Sequence, residues 1–446
     1  MNPPAMRLGR GLRMAALALL VMLFAFAVGG ASQRSPALGV AIALGVLLLG
    51  VSAVQPAALP IVAVPLIVVS TRIGTEGLDL SVSDAALGLA SVTALIFTFR
   101  PFSPPLRTLL WLNAGYQLVT LLTVTATPQL ANTVEWFHAW MLVSGALIVG
   151  WTIGRAGYAK FAVRLLVAIL GMLAVSALVQ ALTQYGHGDF SAVYLRWPIA
   201  MHKNALGTLL TFGATIAYAR PAWLDYRRWQ STGLFLLLTA GMLVTQSRQA
   251  IISMAVALLV LALRRGGGAR RRRPEVIVFV VVPILVLVAT MVRDQVRSGN
   301  RFNSVFQRVT WFQDAISFWS TSPWLGHGLR FWYYNPTLPI QPPNAELEVL
   351  TSSGVVGLVA FLIMMVGVLV VLWRLDPAFG TLAFVLVLAR LVQGQLDLFW
   401  AAVQVPLPFL IAGICLALQD QADSRDAGRL RQPDGAPTAA TGGPSA

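Results

Sequence analysis

The sequence is poor in charged residues, in histidine and in cysteine. Asp, Glu, Lys and Arg make up 11% of its 446 residues, whereas soluble domains contain about 25% charged residues. An ordinary soluble domain is therefore excluded. The one cysteine, Cys415, lies in an apolar run and has no partner for an internal disulfide. The sequence predicts no metal site and no cofactor, because it has no Cys–His cluster at metal-ligand spacing, no phosphate-binding loop and no dinucleotide fingerprint.

Long apolar runs dominate the chain instead. Hydrophobic residues account for 57% of the sequence, and its mean hydropathy is +0.74. A bilayer core is crossed by about 20 helical residues, and apolar runs of that length recur here. This pattern predicts an all-α polytopic membrane protein with about 12–14 transmembrane helices. The predicted segments are 13–30, 37–54, 57–71, 84–99, 108–126, 134–153, 161–183, 204–219, 231–246, 249–263, 275–292, 350–373, 378–392 and 398–418.

The basic residues indicate the orientation of these segments. The net charge is +15, but with the N-terminus inside, roughly two-thirds of all Lys and Arg fall in inner loops and the tail. Such a bias is typical of membrane topology, so we expect no nucleic-acid partner. The run Arg270–Arg273 is interpreted as a topology anchor or a contact with anionic lipids.

The chain ends and the loops indicate five regions. Residues 1–31 are similar to a signal sequence, but apolar segments follow at once, so we expect an uncleaved first helix. The regions are N-terminal transmembrane helices (1–183), helices with outer-face arginines (184–292), a large outer loop (293–349), C-terminal transmembrane helices (350–419) and a disordered inner tail (420–446).

The same orientation places four polar segments on the outer side: residues 184–203, 245–249, 293–349 and 390–397. Within them, Arg248 lies at a junction of two helices with almost no loop around it. An arginine at that depth snorkels to the surface, pairs with a carboxylate or binds an anionic ligand.

The large loop contains its own helical pattern. Apolar residues recur at three- and four-residue spacing, which predicts an amphipathic helix at the membrane surface or over a cavity. They are Val305, Val309, Phe312, Ile316 and Trp319. The aromatic residues that follow, at 324 and 331–334, fit an interfacial belt, a stacking surface for sugar rings or a cover for a lipid carrier.

Several short motifs occur in order between about residues 184 and 420. They are Arg196, His202-Lys-Asn204-Ala-Leu-Gly207, Ser247-Arg248, Arg308 with Trp311, Pro323-Trp-Leu-Gly-His-Gly328, Asn344-Ala-Glu-Leu-Glu348 and Gly354-Val-Val-Gly357. This ordered set resembles the O-antigen ligase and Wzy-type polymerase superfamily, which are bacterial membrane glycosyltransferases that use polyprenyl-diphosphate-linked glycans. Before residue 184, the chain resembles the family only in being helical.

The resemblance implies a metal-independent, inverting glycosyltransferase in surface polysaccharide synthesis. It would sit in the bacterial inner membrane and act at its outer face, moving a glycan from a polyprenyl diphosphate to a sugar or lipid-linked acceptor. The leaving diphosphate develops negative charge, which arginines at a dry boundary stabilise. Arg196 and Arg248 match family arginines with this role. Arg308 is a weaker third candidate, which alternatively pairs with a carboxylate in the loop. Asn204, Asn344 and Gly354 are further motif residues.

One position departs from the family pattern. In the ligases a histidine precedes the motif asparagine, whereas this chain has Pro343, which can neither accept a proton nor orient a hydroxyl. The candidates for a catalytic group are Glu346, Glu348, His327 and His202. Alternatively, the two glutamates stabilise a helix N-terminus and the histidines make polar loop contacts. The substitution favours a polymerase or an atypical ligase-like enzyme.

Two other functions remain open. A multi-pass transporter or flippase of lipid-linked oligosaccharides would place charged residues within helices along a central path. The ionisable residues singled out here lie at helix ends instead, which favours transfer chemistry at the surface. A catalytically inactive relative that serves as a scaffold is the third interpretation, because of Pro343.

Overall fold

The computed structural model describes residues 36–73, 80–264, 304–334 and 341–431, together with residues 290 and 293. The predicted first helix at 13–30, the arginine run 270–273 and the chain beyond 431 lie outside the described residues. The helices are α1 (Pro36–Val54), α2 (Ala58–Leu66), α3 (Val82–Phe97), α4 (Pro104–Ala126), α5 (Leu130–Arg155), α6 (Ala159–Gly186), α7 (Lys203–Ala219), α8 (Arg228–Val244), α9 (Arg248–Leu263), α10 (Ser304–Thr321), α11 (Phe331–Tyr334), α12 (Ala345–Arg374), α13 (Pro377–Gly394) and α14 (Pro406–Arg431). The short strands β1 (Arg72–Ile73) and β2 (Leu80–Ser81) pair antiparallel.

The helices confirm an all-α polytopic membrane protein. Within the described ranges, five helices are long and apolar enough to cross a bilayer, namely α4, α5, α6, α12 and α13. The count of 12–14 is therefore not reached there. Part of the difference is length, since α3 and α9 are apolar but have 16 residues each.

Polar side chains fix where the helices near the site begin. Ser81 Oγ accepts a hydrogen bond from Asp84 N at 3.2 Å, while Ser81 N donates to Asp84 Oδ2 at 2.8 Å. This reciprocal cap starts α3 directly after β2. At α12, Asn344 Oδ1 accepts from Leu347 N at 3.0 Å. Such caps satisfy N–H groups that lack a partner in the first helical turn.

Close packing of α5 against α14 forms much of the core. A Cβ atom on Gly150 would lie 2.0 Å from the Leu410 carbonyl oxygen, and one on Gly413 would lie 2.2 Å from that of Leu147. Glycine at both positions lets the two backbones approach, as in other membrane helix pairs. Trp151, fully buried beside this contact, donates from Nε1 to Phe99 O at 3.0 Å.

The last helix continues beyond the predicted start of a disordered tail at residue 420. Arg155 Nη1 lies 2.5 Å from Asp420 Oδ2, and Gln421 Nε2 donates to the carbonyl oxygens of Gly154 and Arg155 at 3.2 and 3.1 Å. These contacts at the end of α5 hold α14 helical past residue 420. The described part of this helix extends to Arg431.

The amphipathic helix predicted in the large loop is present as α10, and the segment after it interlocks with α12. Gly354 interrupts α12 with φ 68° and ψ −170°. At this break, Val355 N donates to Pro323 O at 2.9 Å. His327 N donates to Thr351 O, and Gly328 N donates to Ser352 O, both at 3.0 Å. Residues 323–328 thus occupy the gap in the helix, so two motifs that are separate in sequence form one unit.

Candidate functional site

Three cations lie at the N-termini of α7 and α9 and near the start of α10. Lys203 is the first residue of α7, Arg248 is the first residue of α9, and Arg308 lies in the second turn of α10. We call Lys203, Arg248 and Arg308 the cationic cluster. Burial is the main cause that lowers the pKa of both Lys203 and Arg308, and the nearby charge of Arg248 lowers each pKa further. The charge of Arg248 therefore acts on both Lys203 and Arg308, which indicates that the three cations share one region of the protein.

Asp397 is the carboxylate that approaches this cluster. Gln249 Nε2 donates to Asp397 Oδ2 at 2.7 Å, and Arg308 Nη2 donates to the carbonyl oxygen of Leu396 at 3.0 Å. The charge of Asp397 partly opposes the lowering of the Arg308 pKa. Lys203, Arg248 and Arg308 concentrate positive charge in this region, which favours an anion.

The N-termini of α7 and α9 lie side by side at the cluster. Ser247 Oγ donates to Asn204 Oδ1 at 3.4 Å, and a Cβ atom on Gly207 would lie 2.8 Å from Ser247 Cβ. Helix N-termini present free N–H groups and a partial positive charge, which favour anions. Asn204 therefore joins the two helix ends that carry Lys203 and Arg248.

A cavity of about 250 Å³ lies among α3, α4, α5, α12 and the loop after α13. Its wall includes Ala205 of α7 and Leu398, each close in sequence to residues of the cationic cluster or to Asp397. Charged, polar and aromatic side chains line it. They include Arg72, Asp84, Tyr116, Gln117, Thr120, Glu135, His138, Arg330, Tyr333, Glu348, Ser352, Trp400 and Gln404.

A chain of four polar side chains forms one side of the cavity. His138 Nε2 lies 2.8 Å from Asp84 Oδ1, and His138 Nδ1 lies 3.2 Å from Glu135 Oε1. Arg330 Nε lies 2.9 Å from Glu135 Oε2. We call Asp84, Glu135, His138 and Arg330 the ionic network. It ties α3, α5 and the segment before α11 together.

Glu348 is a further carboxylate that lines the cavity. Its side chain is 8% exposed, and Phe399 N donates to Oε2 at 3.0 Å. The other oxygen, Oε1, has no hydrogen-bond partner among the described residues, and Glu348 lines the cavity. One oxygen is thus fixed by the backbone while the second can meet a ligand.

The comparison with known families bears on this arrangement. Residues 233–362, from α8 into α12, match the O-Antigen ligase family. The chain carries an O-antigen ligase domain. This match confirms the resemblance to the O-antigen ligase and Wzy-type superfamily and supports a ligase- or polymerase-type function in surface polysaccharide synthesis. No curated protein matches the chain.

The O-antigen ligase domain contains Arg248, Arg308 and Glu348. Lys203 and three members of the ionic network, Asp84, Glu135 and His138, lie before it. The domain therefore supplies two cations and the Glu348 carboxylate, and the cavity is also lined by the preceding helices and by residues between 398 and 404, which follow the domain.

Among the predicted residues, Arg196 is not joined to the cationic cluster. Its backbone N donates to Gln180 Oε1 at 3.1 Å, and its exposed side chain makes no hydrogen bond or ion pair with a described residue. The loop around it is polar, where solvation of an arginine costs little.

The two histidines and Asn344 have structural contacts. His327 Nε2 lies 2.9 Å from Thr321 Oγ1 and 2.8 Å from Phe318 O, and its ring stacks on Phe331. His202 Nδ1 accepts from Asn204 N at 3.2 Å and caps α7. Burial, and to a smaller extent Lys203, lowers the His202 pKa, while Asp397 opposes this.

Glu346 differs from Glu348 in its surroundings. Gln395 Nε2 donates to Glu346 Oε1 at 2.7 Å, and the same Gln395 Oε1 accepts from Asn344 Nδ2 at 3.3 Å. Glu346 Oε2 is buried without a partner among the residues that the structure describes. Glu346 does not line the cavity of about 250 Å³, which Glu348 does.

Arg390 belongs to the predicted segment 378–392 and is almost fully buried. It lies within α13 and is 1% exposed. Its guanidinium donates to Gln404 Oε1 at 2.6 Å, to Leu398 O at 2.5 Å and to Phe399 O. The loop that follows α13 folds back over this arginine, which explains its burial. Arg390 thereby positions the backbone that holds Glu348.

Sequence reasoning missed the ionic network. Its members are spread from residue 84 to residue 330, mostly where the family resemblance was limited to helices. One signal was available, because Glu135 and His138 lie three residues apart within an apolar segment. Ionisable residues inside a membrane helix usually have partners and a function.

Proposed function

We propose that this chain transfers a glycan from a polyprenyl diphosphate to a sugar or lipid-linked acceptor in surface polysaccharide synthesis. The observation that carries the proposal is the cationic cluster within and beside the O-antigen ligase domain. It combines Arg248, Arg308 and Lys203 with two adjacent helix N-termini. Guanidinium groups bind phosphate oxygens in a bidentate manner, and a diphosphate carries enough charge to meet several cations.

The cluster would act on the leaving group. As the bond between the anomeric carbon and the diphosphate oxygen breaks, its electron pair stays with the diphosphate. Positive groups that are already in place stabilise this charge without reorganising solvent, which is a large source of rate enhancement. Arg248 and Arg308 supply that charge in the proposed reaction, and no metal ion takes part.

Glu348 is the best placed of the candidate bases. The acceptor hydroxyl oxygen attacks the anomeric carbon from the face opposite the diphosphate, so the anomeric centre is inverted. The hydroxyl proton passes to Glu348 Oε1, whose partner oxygen is held by Phe399 N. The usual family histidine is replaced by Pro343. Glu348 would therefore perform the proton transfer in its place.

The location follows from the predicted topology. The protein would lie in the bacterial inner membrane with the cationic cluster on the periplasmic or extracellular side. There it would meet a lipid-linked glycan with its diphosphate near the interface. The substitution at Pro343 favours a polymerase or an atypical ligase-like enzyme over a typical ligase.

A second candidate is a transporter or a flippase for lipid-linked oligosaccharides. The observation that favours it is the ionic network, because Glu135 and His138 lie inside a helix long enough to span the bilayer. Buried ionisable groups of this kind occur along transport pathways. A flippase would move the lipid-linked glycan across the membrane without lengthening or transferring it.

Deletion of the gene followed by complementation separates the two functions. We expect deletion to abolish long surface glycan and to leave lipid-linked glycan accumulating on the outer side of the membrane. Wild type restores the polymer, whereas Arg248→Ala and Glu348→Gln do not. Accumulation on the inner side would favour the flippase, and unchanged surface glycan would contradict the transferase.

A further inference from the structure

The cavity has features that the diphosphate chemistry does not use. Much of its wall belongs to α3, α4 and α5, which lie outside the O-antigen ligase domain. Its polar groups are of several kinds. They comprise the cations Arg72 and Arg330, His138, carboxylates, amides and hydroxyls beside aromatic rings.

The ionic network is electrically balanced. Both ring nitrogens of His138 face carboxylate oxygens, of Asp84 and of Glu135. An ionised carboxylate only accepts hydrogen bonds, so each of these two contacts needs its own proton. A neutral histidine supplies one proton, and the second makes the group of Asp84, Glu135 and His138 one proton richer than two carboxylates with a neutral histidine. These three groups then carry one negative charge in total, which Arg330 neutralises at 2.9 Å. The network itself therefore has no net charge, and Arg72 and Glu348 are the other guanidinium and carboxylate groups in the lining.

Aromatic rings lie close to this polar wall. Tyr116 and Trp400 both line the cavity, and their rings stack with centroids 5.7 Å apart and planes inclined by 9°. Tyr333 lines it as well, held by Arg330 over its ring at 4.5 Å. Aromatic faces beside amide and hydroxyl groups match a sugar, which has apolar C–H faces and a rim of hydroxyls.

The size limits the occupant. The volume of about 250 Å³ is slightly below the lower end of about 300 Å³ typical of small-molecule pockets. A single sugar ring fits such a space, whereas several linked rings do not. Gln117, Thr120 and Ser352 line the cavity as potential hydroxyl partners, and Glu348 lines it as well.

We propose that this cavity binds one uncharged sugar ring, the terminal acceptor residue, with its attacking hydroxyl at Glu348 Oε1. The inference rests on the proposed transferase function and adds the acceptor class and its site. An anionic sugar is disfavoured, because the ionic network has no net charge and the carboxylate of Glu348 offsets the positive charge of Arg72 in the same lining.

Binding can be measured apart from transfer. The full chain in lipid nanodiscs is examined by saturation-transfer NMR with methyl hexopyranosides, methyl N-acetylhexosaminides and the methyl glycoside of a hexuronic acid as probes. We expect at least one neutral glycoside to bind at least tenfold more tightly than the hexuronoside. Wild type that binds no neutral glycoside, or that binds the hexuronoside equally well, overturns the proposal.

Filling the cavity provides the matched variants. Ala402 lines it, so Ala402→Phe should lower neutral glycoside binding at least tenfold, whereas Ala402→Ser should not. Ala378 is exposed at the start of α13, so Ala378→Phe adds the same side chain outside the cavity. Farnesyl diphosphate binding reports whether each variant is folded. Unchanged glycoside binding in folded Ala402→Phe contradicts the assignment.

The two proposals fail in different ways. Transfer from a polyprenyl-diphosphate-linked glycan is measured on the same preparations. If wild type transfers glycan but binds no neutral glycoside, the transferase function is retained and the proposed acceptor site is rejected. If wild type binds neutral glycosides but transfers no glycan, the sugar site is retained and the proposed transferase function is rejected.

Discussion

Gly354 and Trp324 are in backbone contact, since a Cβ atom on Gly354 would lie 2.1 Å from the Trp324 carbonyl oxygen. The contact fixes the segment 323–328 in the break of α12. The same segment leads to Arg330, which completes the ionic network at Glu135. The break in α12 is therefore coupled to the wall of the cavity.

Gly354→Ala should destabilise the protein. Its φ of 68° is unfavourable for any residue with a Cβ atom, and the new atom would overlap the Trp324 carbonyl. The strain alone costs about 1–3 kcal/mol. Thermal unfolding of the purified protein in detergent measures the change.

The control is Gly115→Ala. Gly115 lies within α4, and a Cβ atom there meets nothing within 4 Å. Alanine is the better helix former, so this variant should be at least as stable as wild type. Equal unfolding midpoints for the two variants would show that the break does not require glycine.

Glu348→Gln should abolish transfer while leaving donor binding intact. The amide keeps the size of the side chain but cannot take the proton from the acceptor hydroxyl. A loss of at least about 100-fold in kcat is expected, with little change in farnesyl diphosphate affinity. The matched variant Glu346→Gln, off the cavity, should retain most activity. If Glu346→Gln abolished transfer and Glu348→Gln did not, Glu346 would be the base instead of Glu348.

Arg390→Met should lower stability through the loop after α13. Removal of the guanidinium leaves the carbonyl oxygens of Leu398 and Phe399 and the Gln404 side chain without their donor. The expected loss is about 3 kcal/mol, as for a buried hydrogen-bonded charge. Arg374→Met, at an exposed position, serves as control and should change little. A midpoint shift no larger than that of the control would contradict this structural role.

His202→Asn should remove an acid-sensitive part of the stability. In the folded protein the His202 pKa lies below its ordinary value of about 6.5, mainly because of burial. The native state thus favours the neutral ring, and its stability is complete above that pH and falls as the pH is lowered. Asparagine also caps a helix but does not titrate here.

The measurement is the unfolding midpoint at about pH 7.5 and about pH 5.5 for both proteins. Wild type should lose more on acidification than His202→Asn. The same loss in both would show that protonation of His202 does not limit stability. Other titrating groups are common to the two chains and cancel in the comparison.

The helices could be predicted from the sequence, but the break within α12 could not. Each predicted apolar segment within the described ranges contains or overlaps a helix, because about 20 consecutive apolar residues need only local information. The break at Gly354 depends on residues 323–328, which arrive from a distant part of the chain. The burial of Arg390 likewise depends on a loop that folds back.

The candidate site was predicted in part. The place of Arg248 at a helix junction and the family resemblance at Arg308 predict two candidates, and the charge of Arg248 lowers the pKa of both Arg308 and Lys203. The contacts between α3, α5 and Arg330 join parts of the chain that are far apart in sequence. The spacing of apolar residues along the sequence does not predict such contacts. For that reason the ionic network and the cavity could not be derived from the sequence.

The most direct test of the account is transfer by the purified chain in proteoliposomes, with a polyprenyl-diphosphate-linked glycan as donor. Wild type should release polyprenyl diphosphate as glycan is transferred. Arg248→Ala should lower kcat/KM at least about 100-fold, since it removes charge from the leaving group. Arg196→Ala, outside the cationic cluster, should stay within about threefold of wild type. If Arg248→Ala transferred glycan with the kcat/KM of wild type, this result would contradict the central claim that the cationic cluster binds and stabilises the diphosphate.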